Sequence, residues 1–257
     1  MQAQESRSVP VAGVLIVAAI LVLVLVISKQ NSSVSRAQDQ AEELVLPIAD
    51  YAAREPLNPD DSAKRRKRNK LHDHQSGESI KEAPYPVERI WSSHWAREVP
   101  AIPVSQSDVI LIGTVVDSQA NLSADKTGVY SEFGIHVEEV LRGIGTSTLT
   151  YPVVSVERFG GAVRFASGVI QKYRTSGHGM PRKGRRYLLF LKKIDQDDDF
   201  SLLTAYELRG EKIVPLDGSS QQGNERLAFD SYKGADVISF LKIVRDAISE
   251  TPVVSLK

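Results

Sequence analysis

Residues 108–117 read DVILIGTVVD, and residues 129–141 read VYSEFGIHVEEVL. The first run is nearly continuous Val, Ile and Leu, which is the composition of a strand buried on both faces or nearly so. The second alternates. Phe133, Ile135 and Val137 fall on one side of an extended chain, and Glu132, His136 and Glu138 fall on the other. Successive side chains of a strand point to opposite faces, so this segment has one dry side and one wet side. Between the two runs, Asn121–Gly128 is turn-like, and Arg142-Gly143-Ile144-Gly145 closes the second.

The same grammar continues downstream. Further strands are expected at Thr148–Glu157, Ala162–Ala166, Val169–Arg174, Tyr187–Lys193, Leu202–Leu208 and Lys212–Pro215. Gly160-Gly161, Ser167-Gly168 and Arg209-Gly210-Glu211 supply hairpin turns. Many short strands with little helix predict a mainly β fold, a sandwich or a small barrel, over residues 105–217. Residues 218–233 read as a loop. Residues 234–250 then change period. Val237, Phe240, Leu241, Val244 and Ile248 make one helical stripe, bounded by Gly234 and Pro252. A C-terminal helix packed on the β domain follows.

Upstream, Val11 to Ile27 read VAGVLIVAAILVLVLVI, and no charge occurs from Ser8 to Ser28. Seventeen residues at about 1.5 Å each rise roughly 26 Å, near the lower limit for a membrane span. No polar face exists for a soluble helix, and the run is longer than the apolar core of a secretory signal. Residues 8–28 are therefore expected to form one transmembrane helix, with a cleaved signal peptide as the rival reading. Arg7 precedes it and Lys29 and Arg36 follow, which gives a small margin for an N-inside orientation with the bulk of the chain outside the cytoplasm.

Residues 29–84 are polar and charge-dense, with the run Lys64-Arg65-Arg66-Lys67-Arg68, and read as a largely disordered linker. Gln38–Arg54 has the makings of a short helix broken at Pro47. The basic run suits a solvated linker, with contact to phosphate or anionic lipid as the alternative. Residues 85–104 form a lead-in rich in Pro and aromatics. Trp91 and Trp95, four apart, would share one face of a short helix.

The 257 residues hold 32 Lys and Arg, 32 Asp and Glu, and no cysteine. Charge balance argues against a nucleic-acid binder, whose binding domain is usually basic. The absence of cysteine excludes disulfides, thiolate nucleophiles and Cys-bound metal. His72-Asp73-His74 lacks further ligands, so no metal and no cofactor are expected. Nucleophile-elbow, metalloprotease and phosphate-loop signatures do not occur, so no catalytic residue is nominated. Ser176 and His178 lie close in sequence, but proximity alone does not make a dyad, since their side chains could diverge.

The most unusual local text is Tyr173–Arg186, YRTSGHGMPRKGRR. Here Arg182, Lys183, Arg185 and Arg186 could grip an anion, His178 could titrate near neutrality, and Tyr173 adds an aromatic surface. These six residues form the candidate ligand-binding set. An ordinary glycine-rich hairpin turn is the competing reading.

The order of a strand, a turn, a long strand ending EEVLRG, then YRTSGHGMPRKGRRYLLFLKK and SLLTAYELRGEKIVPLDG resembles a group of uncharacterised bacterial membrane-anchored proteins. Their β domain is distantly similar to the OB-like barrels of netrin and metalloprotease-inhibitor modules. The resemblance covers about residues 105–217 and implies a closed or partly open OB-like barrel. It carries no function, and the cysteine framework of the inhibitors is missing.

The expected function is a non-enzymatic, membrane-tethered extracytoplasmic binding or assembly module, held by residues 8–28, with a protein or glycan partner. The alternatives are an oligonucleotide- or polyanion-binding OB-like domain, stacking bases on Tyr151, Phe165 and Tyr173, or a hydrolase built on His178.

Overall fold

The computed structural model describes residues 46–53, 56–75, 77–91, 99–143, 152–194, 199–218 and 228–251. The apolar stretch 8–28, Trp95 and Tyr151 lie outside these residues. Among the described residues no helix is long and apolar enough to cross a membrane. The described residues fold as one compact unit.

The chain is mainly β. In order, the elements are β1 (Ile48–Asp50), α1 (Pro59–Leu71), β2 (Glu88–Trp91), β3 (Val109–Leu122), β4 (Val129–Arg142), β5 (Val153–Phe159), β6 (Gly161–Arg164) and β7 (Ile170–Thr175). Then come β8 (Arg186–Lys193), β9 (Asp199–Arg209), β10 (Lys212–Pro215), a 3-10 turn at Ala228–Tyr232 and α2 (Val237–Glu250).

The larger sheet runs β10-β9-β5-β4-β3-β8, and a further β8–β9 pairing joins its two sides. Five strands thus make a circuit, β3-β4-β5-β9-β8 and back to β3. All neighbours are antiparallel except β5 and β9. Closure leaves few exposed edges.

Period-two alternation divides the side chains of β3 and β8 between two cores. Val109, Leu111, Val115, Tyr187, Leu189 and Leu191 point into the circuit, where they meet Phe133, Ile135, Val154, Val156 and Phe200. Ile110, Ile112, Leu188 and Phe190 point outward, beneath Val104, Phe229, Phe240 and Val244. The doubly buried strand read from residues 108–117 is therefore real. Its second cover is α2, whose expected stripe of Val237, Phe240, Leu241, Val244 and Ile248 packs there. Asp236 caps α2 by accepting from Ser239 N at 2.9 Å. The loop expected at 218–233 contributes too, since Phe229 of the 3-10 turn is fully buried in this core.

One glycine in β3 is dictated by this geometry. A Cβ at Gly113 would stand 2.6 Å from both the His136 carbonyl oxygen and Ile135 Cγ2 on β4. Register shifts flank this position, as in a bulged, strongly coiled strand pair.

The expected linker is where the structure departs most from the sequence reading. Residues 48–50 form β1, parallel to β6, and residues 88–91 form β2, parallel to β7. With the β6–β7 hairpin they make a second sheet, β1-β6-β7-β2. So part of the stretch read as a short helix around Pro47 is a strand. Trp91 ends a strand and packs on Phe159 and Tyr173 at 4.9 and 5.4 Å. Residues 85–91 and 99–104 of the lead-in, and residues 46–53, 56–75 and 77–84 of the expected linker, belong to the folded unit. Strand addition recruits backbone groups, which composition does not reveal.

Candidate functional site

The charge run at residues 64–70 is helical, and its first turn explains why. Asn58 caps the helix by accepting from Asp60 N at 3.0 Å, and Pro59 occupies the first position. Asp60 and Asp61 lie at the positive end of the helix dipole, Arg68 and Lys70 at the negative end. Residues 65, 68, 69 and 72 then share one face at the i, i+3, i+4, i+7 spacing.

That face lies on strands β4, β5 and β9. Arg65 donates to Glu132 of β4 at 2.7 Å, and Arg68 donates to the other oxygen of Glu132 at 2.6 Å. Arg68 also pairs with Asp199 at the start of β9. Tyr130 of β4 donates its hydroxyl to Asn69 at 2.7 Å. Just past the helix, His72 stacks on the Tyr130 ring, 3.9 Å between centroids, and hydrogen-bonds Glu157 of β5 at 3.0 Å. The backbone joins in, with Ala124 N donating to the Asn69 carbonyl.

Electrostatics match the geometry. Burial alone would lower both arginine pKa values, but Glu132, joined by Asp199 at Arg68, more than offsets it and raises both. Burial pushes Tyr130 up, and the Glu132 charge adds to this, so its phenol stays a donor. Each charge-assisted hydrogen bond is worth about 1.5–3 kcal/mol, against about 0.5–1.5 for a neutral one. The acids Glu132, Glu157 and Asp199 thus form a receptor face for two arginines and a histidine. A cleft of about 40 Å³ opens along its edge, lined by Lys64, Lys67, Arg68, Leu71, Glu157, Ile194 and Asp199.

The six residues nominated from sequence do not converge. Lys183 reaches Asp117 at 3.5 Å, Arg185 reaches Glu207 at 3.8 Å, and Arg186 reaches Glu138 at 2.6 Å. Arg182 donates its backbone N–H to the Tyr187 hydroxyl. Tyr173 is buried in the small-sheet core, its hydroxyl on Gln171 at 2.7 Å. Lys183, Arg185 and Arg186 thus answer acids on three different strands, β3, β9 and β4.

His178 is also corrected. Both ring nitrogens are out of solvent. Burial, reinforced by the Arg158 charge, lowers its pKa to about 2, so it does not titrate near neutrality. The adjoining Gly179 explains its setting. Arg158 donates to the Gly179 carbonyl at 2.9 Å, Gly179 N donates to Asp217 at 2.9 Å, and Arg158 pairs with Asp217 at 2.9 Å. A Cβ on Gly179 would lie 1.9 Å from the Leu216 carbonyl oxygen. Gly179 serves close packing against residues 216–217, and Gly177 takes a positive φ of 76°.

Phe165 is likewise buried, in a stack with Tyr51 at 4.9 Å. His72 and His74 take different partners, Glu157 and Asp125. Among the described residues no group of three or more His, Asp or Glu could hold a metal ion.

Sequence reasoning missed the α1 docking, although two signals were present. Asn58-Pro59-Asp60-Asp61 is a helix start, and Arg65, Arg68, Asn69 and His72 share a face. The acids that receive them lie 64 or more residues away. No protein-family model matches the chain, and searches of curated proteins and of solved structures also return no match.

Proposed function

We propose that this chain is a non-enzymatic, membrane-tethered extracytoplasmic module whose OB-like barrel recognises a basic helical segment of a protein through the face built by β4, β5 and the start of β9. The single observation that carries this reading is the seating of Arg65 and Arg68 on Glu132 and Asp199. The circuit β3-β4-β5-β9-β8 supports the OB-like description. In such barrels the second and third strands and their flanking loops form the ligand face, and here those strands are β4 and β5. The tether rests on the uncharged stretch from Ser8 to Ser28.

The test uses a full chain carrying Arg65→Glu and Arg68→Glu, which uncovers the acidic face. A labelled peptide of residues 57–74 should bind this variant in trans and should lose binding when Glu132→Lys is added. A peptide that binds neither variant would remove recognition as the role of this face and leave α1 as a structural brace.

The oligonucleotide reading is less well supported. Glu132, Glu157 and Asp199 would repel a phosphate backbone, and Phe165 and Tyr173 are buried in the small-sheet core. Salt-dependent binding of single-stranded DNA would restore it. The hydrolase reading meets an imidazole held neutral beside the Arg158 charge.

A further inference from the structure

The three arginines on the strands of the small sheet are not treated alike. Arg164 pairs with Asp50, and Arg174 pairs with Glu88. Arg89, on β2, makes no hydrogen bond and no ion pair among the described residues. Strand geometry explains the difference. Side chains alternate along β2, so Glu88 and Ile90 turn to one face, and Arg89 and Trp91 turn to the other. Glu88 thereby reaches Arg174, while Arg89 stands beside its register partner Tyr173. Burial raises the pKa of the Tyr173 phenol, and the Arg89 charge partly offsets the rise. Trp91 lies next along β2 and stacks on Tyr173 at 5.4 Å.

A second piece of the chain runs past this face. Ile80 N donates to the Lys126 carbonyl at 2.7 Å, and the Lys81 carbonyl accepts from Gln171 at 3.2 Å. Between residues 78–80 and β2 a cavity of about 90 Å³ remains. Ile80 and Tyr173 make its buried floor, with Trp91 half-buried beside them. Glu78, Ser79 and Arg89 make its exposed rim. Glu78 and Arg89 line one cavity without forming an ion pair with each other. Ser79 makes a 3.5 Å contact to the Asp125 carbonyl, at the outer limit of a hydrogen bond, so its hydroxyl can turn to another acceptor.

Opposite charges held apart over an apolar floor match a ligand that carries both charges. A guanidinium takes a carboxylate in a fork of two N–H donors. A carboxylate has about four acceptor positions, so Glu78 can take an ammonium beside any bond it already makes. An ammonium within about 6 Å of an indole face is also attracted to the ring. Size narrows the choice further. A cavity of about 150 Å³ holds benzene, so this one encloses about four non-hydrogen atoms, and its open rim lets a ligand protrude slightly. Glycine and alanine are of this size. A peptide end carries only one of the two charges.

We propose that this cavity binds a small free α-amino acid as its zwitterion, with Arg89 and Ser79 on the carboxylate, Glu78 on the ammonium, and Trp91 against the apolar side of the ligand. The site belongs to the small sheet and stands whether or not the β4–β5 face recognises a helix.

Glycine, alanine, acetate and methylammonium are titrated by calorimetry into the full chain in detergent. A Trp95→Phe chain keeps Trp91 as its single tryptophan, whose emission reports arrival in this cavity. Glycine and alanine should bind with millimolar affinity or tighter and should shift that emission. Acetate and methylammonium should bind at least about tenfold more weakly, because each engages one charge. Arg89→Gln should weaken glycine at least about tenfold. Glu78→Gln should weaken glycine and leave acetate unchanged. Arg164→Gln, on β6, should bind as the parent does.

No heat and no emission change with glycine or alanine up to about 10 mM would overturn the proposal. So would glycine binding that Arg89→Gln leaves intact, or acetate binding as tight as that of glycine. Should Arg89→Gln fail to fold, Arg89→Lys decides. It keeps the charge and loses the fork, so glycine should weaken, and an unchanged affinity would remove Arg89 from the site.

Discussion

Replacing Asp217 by Ala separates a structural loop from a functional one. Its side chain is fully buried and the Arg158 side chain is 2% exposed. The substitution deletes the 2.9 Å pair with Arg158 and the 2.9 Å bond from Gly179 N. A buried cation deprived of its carboxylate costs about 3–5 kcal/mol. A buried N–H left without its acceptor adds about 1–3 kcal/mol. The expected loss is therefore about 4–8 kcal/mol, comparable to the whole stability of an ordinary domain. Urea unfolding followed by tryptophan fluorescence measures it, provided the denaturant slope is unchanged. Asp217→Asn, which keeps an acceptor for Gly179, should lose about half as much. Arg158→Met combined with Asp217→Leu should recover most of the loss, because no charge is then stranded. A loss below about 1 kcal/mol for Asp217→Ala would refute the clamp, and a double variant no better than the single would refute the stranded-charge account.

Other outcomes follow from the same geometry. Gly179→Ala should destabilise by at least about 3 kcal/mol in thermal melts, because the new methyl overlaps the Leu216 backbone carbonyl and cannot be relieved by a rotamer change. The His178 pKa is lowered to about 2 in the fold, against about 6.5 unfolded. Between these values the unfolded chain holds a proton that the native chain does not. This contribution is complete above about pH 6.5 and falls as pH drops toward 2, by up to about 1.4 kcal/mol per unit. Urea titrations at pH 7 and pH 5 should therefore show a smaller acid loss for His178→Gln than for the parent; parallel losses would contradict this. An alkaline phosphatase reporter fused to the C-terminus should be active, as the proposed N-inside orientation requires, and activity only with a cytoplasmic reporter would reverse that orientation.

Much of the β unit was legible because its signals are local. The run at 108–117, the alternation at 129–141 and the stripe at 237–248 each report burial within a few residues of chain. They appear as β3, β4 and α2 with the expected faces inward. Lys212–Pro215 was located to the residue. What failed was local text whose meaning depends on distant partners. The loop at 173–186 looked like a cluster of free cations, but Lys183, Arg185 and Arg186 each meet an acid brought up from another strand.

By itself the sequence determined a mainly β chain with a terminal helix, the absence of thiol chemistry, and a long uncharged stretch near the start. Hydrophobic periodicity carries that information, because burial of one face is decided by neighbouring residues. Tertiary structure alone decided that the basic run is a docked helix, that two short segments before residue 92 join a second sheet, and that His178 stays neutral. Each of these depends on a charge or a backbone group meeting a partner far along the chain. Coulombic and hydrogen-bonding energies are set by distance in space, and a linear text does not contain that distance.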